Sequence, residues 1–379
     1  MRTIYSVGMR VGGGGGGERL YHALRALTAA GYAQRIYASS SASDAFGRAM
    51  HTMGLAGRAL RFLIARAHSA RANAAHDGLF DRWVATQAGE CALFHGHSLY
   101  ALASMQRAHA QGAVVLLDRG MAHPEAYAQA LDGEFARRGV DRRVDRARIQ
   151  RELHETERCD ELLVGSESAR ASYLARGYPA ERLALVPYGV DTQRFAPAVN
   201  GIAHPFRVLF VGQVGLGKGV GYLLEAWQHL GWRDAELWLA GNQSPEMRPA
   251  LGRLLDQPGV RLLGYERQPE MLYRAADLFC LPSLSEGGPL VTYEAMACGL
   301  PSVTTSEAAG PARDGQEALL VPECDAAALA LALQRLRDDT ALRMRMGRAA
   351  RARAEGYTWE HYGQGLVSLY ERLLSGHAI

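Results

Sequence analysis

Short apolar runs alternate with amphipathic segments along most of the chain. Leu162–Val164 and Leu278–Leu281 are apolar throughout and have the length of buried strands. Segments such as Val220–Leu230 instead carry apolar residues at helical spacing. The pattern occurs in two halves, separated by a polar stretch over 191–205 that contains two prolines and an asparagine-glycine pair. Repeated strand–helix units predict an α/β fold with two parallel-sheet domains.

The polar stretch also sets the predicted domain boundaries. We expect an N-terminal Rossmann-like domain over 1–190 and a C-terminal one over 205–356, with a final helix within 357–379. Large side chains recur on one face of that helix: Tyr362, Leu366, Leu369, Tyr370 and Leu373. Such a stripe has to be buried against another element, so the final helix is predicted to dock.

Six consecutive glycines, Gly12–Gly17, follow the first predicted strand, Arg2–Val7, and precede a helical pattern. Strand, glycine loop and helix form the opening of a Rossmann-like domain, where the loop backbone approaches a ligand. We expect Gly16 and Gly17, next to the helix, to contact the ligand, and the earlier glycines to be a low-complexity extension. The run lacks G-x-G-x-x-G spacing, which makes a dehydrogenase the least favoured enzyme class.

A second glycine-rich loop follows the strand Phe206–Gly212 and contains Gln213 and Lys218. A cation at the start of a helix opposes the helix dipole, which favours phosphate binding by Lys218 over a purely structural role. The G-x4-G-K-[ST] pattern is absent, so the loop is not predicted to be a P-loop.

The most informative stretch is Ser283–Pro301. It follows a predicted buried strand, and Gly287 and Gly288 permit a sharp turn. Pro289 is expected at the first position of a helix that ends near Cys298. The N–H groups at the start of such a helix form an anion site.

Two carboxylates flank this predicted anion site. Glu286 lies just before the helix and Glu294 two turns into it. They can accept hydrogen bonds from hydroxyls on either side of bound phosphates, an arrangement that suits a nucleotide sugar. A capped surface helix with a stray acid is the alternative, but the full pattern S-x-x-E-G-G-P-L-V-x-x-E favours the ligand site.

Polar residues also stand near the ends of two predicted strands in the first half. Because ligands bind beyond the carboxyl ends of parallel strands, His97, Asp118, Arg119 and His123 are expected to face the cleft on the acceptor side. His95 and His97, predicted to lie in a loop, could begin a metal site. No third ligand stands at a diagnostic spacing, so no metal is predicted.

Composition limits which partners and which cellular compartment are expected for the protein. A net charge of +3 argues against a nucleic-acid partner, and no apolar run approaches the roughly 18 residues of a spanning helix. The first apolar stretch is too short for a signal peptide. Five scattered cysteines without C-x-x-C spacing indicate a reducing cytoplasm with neither disulfides nor a zinc site.

Two arginine-rich segments leave alternatives open. Residues 55–75 form a basic amphipathic pattern that could lie on an anionic membrane, although an ordinary surface helix is favoured. Residues 136–158 interleave arginines with acids, which favours a solvated helix laced with salt bridges. Recognition of an acidic or lipid-phosphate acceptor is the alternative there.

Several motifs together resemble those of family 4 glycosyltransferases, which are retaining enzymes with the GT-B fold. Besides Ser283–Pro301, the resemblance includes Val186–Asp191, Phe210–Gln213, Lys218–Gly219 and Ala276–Ser283. It is strongest over 160–305 and extends over nearly the whole chain. It implies two Rossmann-like domains that face a central cleft, with the final helix crossing back to the N-terminal domain.

The resemblance also implies a function. A hexosyl group would move from a nucleoside-diphosphate sugar to the hydroxyl of a glycan or lipid-linked acceptor, in bacterial polysaccharide, lipopolysaccharide or glycolipid synthesis. Neither metal nor cofactor would be needed. The enzyme would be cytoplasmic, with peripheral association at the inner face of the membrane left open.

The resemblance further implies roles for individual residues. Lys218 would pair with the donor diphosphate, Glu286 would hold the donor sugar, and Glu294 would hold the ribose. The predicted catalytic residues are Glu286, Lys218 and His123. The predicted donor-binding residues are Gly16, Gly17, Gly212, Gln213, Lys218, Gly264, Tyr265, Glu286, Gly287, Gly288, Leu290, Val291 and Glu294.

Two positions depart from the family pattern. Gln213 stands where most members carry an arginine, and Gly288 replaces a usually bulkier apolar residue, which is expected to loosen the sugar pocket. Two other functions therefore remain open: an inactive or regulatory sugar-nucleotide-binding protein, and a GT-B sugar-nucleotide epimerase, against which the complete glutamate motif argues.

Overall fold

The computed structural model describes residues 2–12, 15–42, 44–54, 57, 70–198 and 205–376. Among these described residues, each half of the chain is built around one parallel sheet, of seven strands in the first half and six in the second. The α/β architecture with two parallel sheets, predicted from the alternation of apolar runs and helical patterns, is therefore confirmed.

The first half is a seven-stranded sheet flanked by helices. Its strands are β1 (Thr3–Val11), β2 (Arg35–Ser41), β3 (Met50–Thr52), β4 (Leu93–His97), β5 (Val114–Asp118), β6 (Glu161–Val164) and β7 (Leu183–Leu185). Its described helices are α1 (Gly16–Ala29), α2 (Ala70–Gln87), α3 (Leu102–His109), α4 (Pro124–Arg137), α5 (Arg146–Arg158) and α6 (Glu167–Leu174). The spatial order of the strands is β3-β2-β1-β4-β5-β6-β7.

The second half repeats this plan with six strands. They are β8 (Phe206–Val211), β9 (Ala235–Ala240), β10 (Val260–Gly264), β11 (Leu278–Leu281), β12 (Ser302–Thr304) and β13 (Ala318–Leu320). Its helices are α7 (Val220–Leu230), α8 (Met247–Leu255), α9 (Pro269–Arg274), α10 (Leu290–Ala297), α11 (Ala326–Asp338), α12 (Thr340–Ala354) and α13 (Trp359–Ser375). The order is β10-β9-β8-β11-β12-β13.

Both sheets reverse their strand order beside their first strand. In the first half β1 lies between β2 and β4, and in the second half β8 lies between β9 and β11. Ligands of open α/β sheets bind at such switch points, beyond the carboxyl ends of the strands. The two glycine-rich loops, after β1 and after β8, lie at these positions.

The last helix, α13, packs on the first half of the chain. Its apolar stripe is buried, as the spacing of Leu366 and its neighbours predicts. The hydroxyl of Tyr370 lies 2.8 Å from Nδ1 of His95, and Arg372 donates to Glu161 at 2.9 Å. Trp359 stacks on His22 with ring centroids 4.4 Å apart. The end of the described chain is thus tied to the first sheet by both polar and apolar contacts.

Two local predictions around the strands and helix starts were wrong. His95 and His97 both belong to β4 rather than to a loop, because pairing with β5 continues as far as His97 and Asp118. Helix α10 begins at Leu290, and Pro289 precedes it as the N-cap residue in an extended conformation. The Pro289 carbonyl accepts the N–H of Thr292 at 3.1 Å, so proline ends the loop rather than starting the helix.

The arginine-rich segment 136–158 is not one solvated helix. Helix α4 ends at Arg137, and α5 starts at Arg146 after Asp145, whose carboxylate accepts the N–H of Ala147 at 3.0 Å. Glu152 and Glu155 on α5 are buried. Two acids of this segment are therefore part of the interior, while Asp141, Glu157 and many of its arginines remain exposed.

Most of the basic segment 55–75 lies outside the described residues, as do Gly13, Gly14 and 199–204 of the polar stretch between the halves. None of the helices that the structure describes combines the length and the hydrophobicity needed to cross a membrane.

Candidate active site

A cavity of about 410 Å³ lies between the two halves, at the carboxyl ends of both sheets. Eleven of the residues predicted from sequence line it. They are Gly16, His97, Asp118, Arg119, Gly212, Gln213, Lys218, Glu286, Gly288, Leu290 and Val291. Both switch points therefore open onto one cavity.

Lys218 and Glu286 form an ion pair in this cavity. Lys218 ends a 3-10 turn, Leu216–Lys218, and the following Gly219 has φ +69°. A Cβ on Gly219 would lie 1.8 Å from the carbonyl oxygen of Pro282, so glycine lets this turn reach the loop after β11. Ser283 Oγ donates to the same Glu286 oxygen at 2.7 Å. The carboxylate is buried and fixed beside the lysine.

Gln213 lines the same wall of the cavity as Lys218. Among the residues that the structure describes, its side chain has no hydrogen-bond or ion-pair partner. The amide is therefore available to donate to a ligand, but it contributes no positive charge. A cation would have been expected here from the family pattern.

The loop before α10 touches the first half directly. A Cβ on Gly287 would lie 2.1 Å from the carbonyl oxygen of Gly120, and one on Gly288 would lie 2.9 Å from the ring of Tyr188. Gly288 also has φ +127°, which L side chains rarely adopt. Tyr188 occupies the space that a bulkier residue at 288 would take. The expectation that Gly288 simply loosens the pocket was therefore incomplete.

A buried polar cluster forms the opposite wall of the cavity. Arg19 lies 2.5 Å from Oδ2 of Asp118, and Nε2 of His97 lies 3.5 Å from the same oxygen. The hydroxyl of Tyr5 lies 2.7 Å from His97 Nε2. Burial, and then Arg19, hold the pKa of His97 well below its usual value; burial also lowers the pKa of His95 to about 3. Both imidazoles are therefore neutral at neutral pH.

Asp118 is a third potential metal ligand beside His95 and His97, and the sequence did not reveal it. The ligand atoms of His95, His97 and Asp118 lie within 4.8 Å of one another. The guanidinium of Arg19 already neutralises the Asp118 carboxylate, and a metal ion would have to compete with that fixed positive charge. Sequence spacing could not show this group, because β4 and β5 bring it together across the sheet.

Arg119 and His123 have structural partners. Arg119 lines the cavity but donates to Glu152 at 2.7 Å, and both side chains are buried. His123 does not line the cavity. Its Nδ1 accepts the N–H of Glu125 at 3.2 Å as the cap of α4, and its ring packs against Tyr173. Burial lowers the pKa of His123 to about 4.

Glu294 lies on α10, partly buried and outside the cavity lining. The hydroxyl of Tyr273 donates to it at 2.8 Å. Burial raises the pKa of Glu294 to about 7, against the lowering effect of the Tyr273 hydrogen bond. Near pH 7, the carboxyl group of Glu294 is therefore present in both its protonated and its ionised form.

The remaining predicted donor residues lie away from the cavity lining. A Cβ on Gly17 would lie 2.6 Å from the carbonyl oxygen of Gly12, so this glycine serves packing within its own loop. Gly264 ends β10, and Tyr265 after it is 65% exposed.

Sequence reasoning missed Arg19, Tyr188 and Arg148, which all line the cavity. It also missed Leu99, whose φ of +81° is rare for a branched side chain. The N–H of Leu99 donates to Glu155 at 2.5 Å, so a buried carboxylate holds this turn at the cavity wall. No local pattern marks these residues, because each reaches the site through contacts distant in sequence.

Comparison with known proteins agrees with this architecture. The model of Glycosyltransferase Family 4 matches residues 13–194, and the model of Glycosyl transferases group 1 matches residues 205–339. D-inositol 3-phosphate glycosyltransferase of Pseudarthrobacter chlorophenolicus is 32% identical over 238 residues, which are 57% of this chain and 56% of that protein. MMP alpha-(1->4)-mannosyltransferase of Mycolicibacterium hassiacum is 32% identical over 227 residues, 56% of this chain and 54% of that protein. The match spans about half the length of these relatives.

Solved structures resemble the chain over nearly its whole length. Sucrose-phosphate synthase from Thermosynechococcus elongatus gives a TM-score of 0.74 at 21% identity, covering 99% of this chain and 100% of that one. Anabaena HepE in complex with UDP and glucose gives 0.69 at 15% identity, covering 98% and 100%. WaaG, a glycosyltransferase involved in lipopolysaccharide biosynthesis, gives 0.67 at 16% identity, covering 97% and 99%. The two family models, which together match 13–194 and 205–339, place the chain in the group 1, family 4 glycosyltransferases, and the likeness to the solved structures shows the GT-B fold.

Proposed function

We propose that the protein is a retaining glycosyltransferase that moves a hexosyl group from a nucleoside-diphosphate sugar to an acceptor hydroxyl. The observation that carries this proposal is the Lys218–Glu286 pair at the opening shared by both switch points. A cation and a fixed carboxylate side by side suit a ligand that carries a diphosphate next to sugar hydroxyls.

In the proposed reaction the hard step is departure of the diphosphate. The bond between the anomeric carbon and the phosphate oxygen breaks, and its electron pair stays on the diphosphate. The acceptor hydroxyl oxygen forms the new bond on the same face, and its proton passes to the leaving phosphate. Lys218 and the N–H groups at the start of α10 would stabilise the developing charge.

In this proposal each of the two glutamates binds a different part of the donor. Glu286 would accept hydrogen bonds from the sugar hydroxyls, and Glu294 would accept them from the ribose. The closeness of Gly287 to Gly120 brings the two halves together at one wall of the cavity, and exclusion of water on closure around the donor would limit its hydrolysis. Neither a metal nor a cofactor has a role in the proposed steps.

Binding and turnover of a panel of UDP-, GDP- and ADP-sugars test this proposal. At least one donor should raise the melting temperature and be consumed, because a ligand that binds only the native state stabilises it. Glu294→Ala should weaken binding of both the diphosphate and the intact donor, since the ribose is present in both. Unchanged affinity for the diphosphate would show that the ribose assignment is wrong.

A second candidate function is a sugar-nucleotide-binding protein without transferase activity. The neutral Gln213, where the family pattern has a cation, favours it. Donor binding with neither transfer nor hydrolysis would support this alternative, whereas turnover would exclude it.

We further propose a cytoplasmic site of action and a role in the synthesis of a bacterial polysaccharide, lipopolysaccharide or glycolipid. The five free cysteines support a reducing compartment. The relatives include both an inositol phosphate glycosyltransferase and a mannosyltransferase, so the likeness leaves the acceptor open.

A further inference from the structure

A side pocket of about 630 Å³ opens beside the cavity that holds Lys218. Its described lining residues all belong to the first half, from Asn73 to Glu152. The two spaces share four lining residues: Leu99, Arg119, Met121 and Arg148. A molecule anchored in the side pocket can therefore extend into the cavity from the side opposite the donor residues.

Among the described residues, five arginines and three acids line the side pocket. The arginines are Arg119, Arg142, Arg143, Arg148 and Arg151. The acids are Asp77, Asp145 and Glu152. This excess of positive charge is unusual for a chain whose net charge is only +3. It favours a negatively charged occupant.

Three of the arginines are already paired. Arg119 donates to Glu152 at 2.7 Å, Arg151 to Asp81 at 2.7 Å, and Arg142 to Glu246 at 3.0 Å. These ion pairs neutralise most of the positive charge of the three arginines. The excess therefore depends on the remaining two arginines.

Arg143 and Arg148 remain available. Arg143 is exposed, and its side chain has no ion pair or hydrogen bond among the described residues. Arg148 has a carboxylate 3.8 Å away, on Glu152, but that oxygen already accepts the stronger bond from Arg119. Two guanidinium groups without close partners thus face one pocket.

The two aspartates of the pocket are engaged elsewhere. Asp145 is engaged as the cap of α5, and Asp77 lies 3.2 Å from the ring of His76. Guanidinium groups bind phosphate oxygens in a bidentate geometry.

We propose that the side pocket binds a phosphate group on the acceptor, with Arg143 and Arg148 as its ligands. The assignment to the acceptor rests on the proposed transferase function, while the phosphate site itself does not. The phosphate could belong to a free sugar or polyol phosphate or to a lipid headgroup, since both present the same oxygens.

The test uses the full chain with its donor site saturated by the nucleoside diphosphate that binds best. One arm compares glucose 6-phosphate with glucose, and glycerol 3-phosphate with glycerol, by calorimetry. The other compares vesicles of phosphatidylcholine alone with vesicles that also contain phosphatidylglycerol, by co-sedimentation. The first arm detects a free phosphate ester and the second a lipid headgroup.

Arg143→Gln should weaken phosphate binding in the responding arm about 10- to 100-fold, the loss of one charge-assisted contact. Arg158→Gln is the matched control, an exposed arginine on α5 outside the pocket, and should leave binding unchanged. Nucleoside-diphosphate binding should be the same in both variants, because Arg143 does not line the donor cavity.

Binding no tighter than that of the neutral counterparts in both arms would overturn the proposal, as would equal losses in the two variants. Failure of the transferase function is distinguishable, since it would show as absent donor turnover while the phosphate arms still respond.

Discussion

Lys218 and Glu286, which are 68 residues apart in sequence, form an ion pair in the cavity between the two sheets. Ser283 donates to the same oxygen of Glu286, so both charges are in place before a donor binds. A preorganised pair of this kind costs little rearrangement at the moment of reaction. The pairing suggests separate tests for the carboxylate and for the cation.

Glu286→Ala should depress transfer at least about tenfold, because a hydrogen bond to a charged group is lost in the transition state. Binding of the nucleoside diphosphate should be preserved or tightened, since Lys218 loses the carboxylate that competes for it. Steady-state kinetics and calorimetry with the diphosphate measure the two effects. An equal loss for donor and diphosphate would contradict the assignment of Glu286 to the sugar.

Gln213→Arg should raise turnover about tenfold, because the arginine adds a charge-assisted bond to the leaving diphosphate. Charge on that group grows toward the transition state, so kcat should change more than KM. Lys218→Ala should be severe in the parent and milder in the arginine variant. If Gln213→Arg instead lowers both binding and turnover, another cation that lines the same cavity already supplies the second positive charge.

Leu366→Ala should lower the free energy of unfolding by about 2–5 kcal/mol, because Leu366 is fully buried where α13 docks on the first half. Leu331→Ala is the matched control at a side chain that is 73% exposed, with an expected effect within about 0.5 kcal/mol. Denaturant titration measures both. Removal of residues 357–379 should destabilise the chain further, and a soluble truncation with an unchanged melting temperature would show that docking contributes nothing.

Glu294→Gln should stabilise the protein more at about pH 8 than at about pH 5. Burial raises the pKa of Glu294 from 4.5 to about 7. Between these values the unfolded chain releases the proton that the folded chain keeps, so the carboxyl group lowers stability as the pH rises through this window. Glutamine has no such proton and can still accept from Tyr273.

The melting-temperature difference between Glu294→Gln and the parent measures this effect at each pH. Glu360→Gln, at an exposed glutamate of α13, controls for the general removal of a carboxylate. A difference that is constant with pH would contradict the assigned cause.

The alternation of apolar runs and helical patterns was enough to predict the two parallel sheets, because strand and helix periods are local properties of the chain. The glycine loops and the Glu286–Val291 motif were also visible, since the turn and helix start that present them lie within a few residues. Lys218, Gln213 and Glu286 accordingly line one cavity as expected.

The tertiary structure determined which side chains from distant elements pair with one another. It engaged Arg119 with Glu152, turned His123 into a helix cap, and placed Asp118 beside Arg19. Among the described residues it also left Arg143 without an ion pair, and Arg148 with only a carboxylate oxygen 3.8 Å away that Arg119 already holds. Composition gives only the number of charges in a segment, whereas which of them remain free to bind a ligand depends on the distances that folding sets.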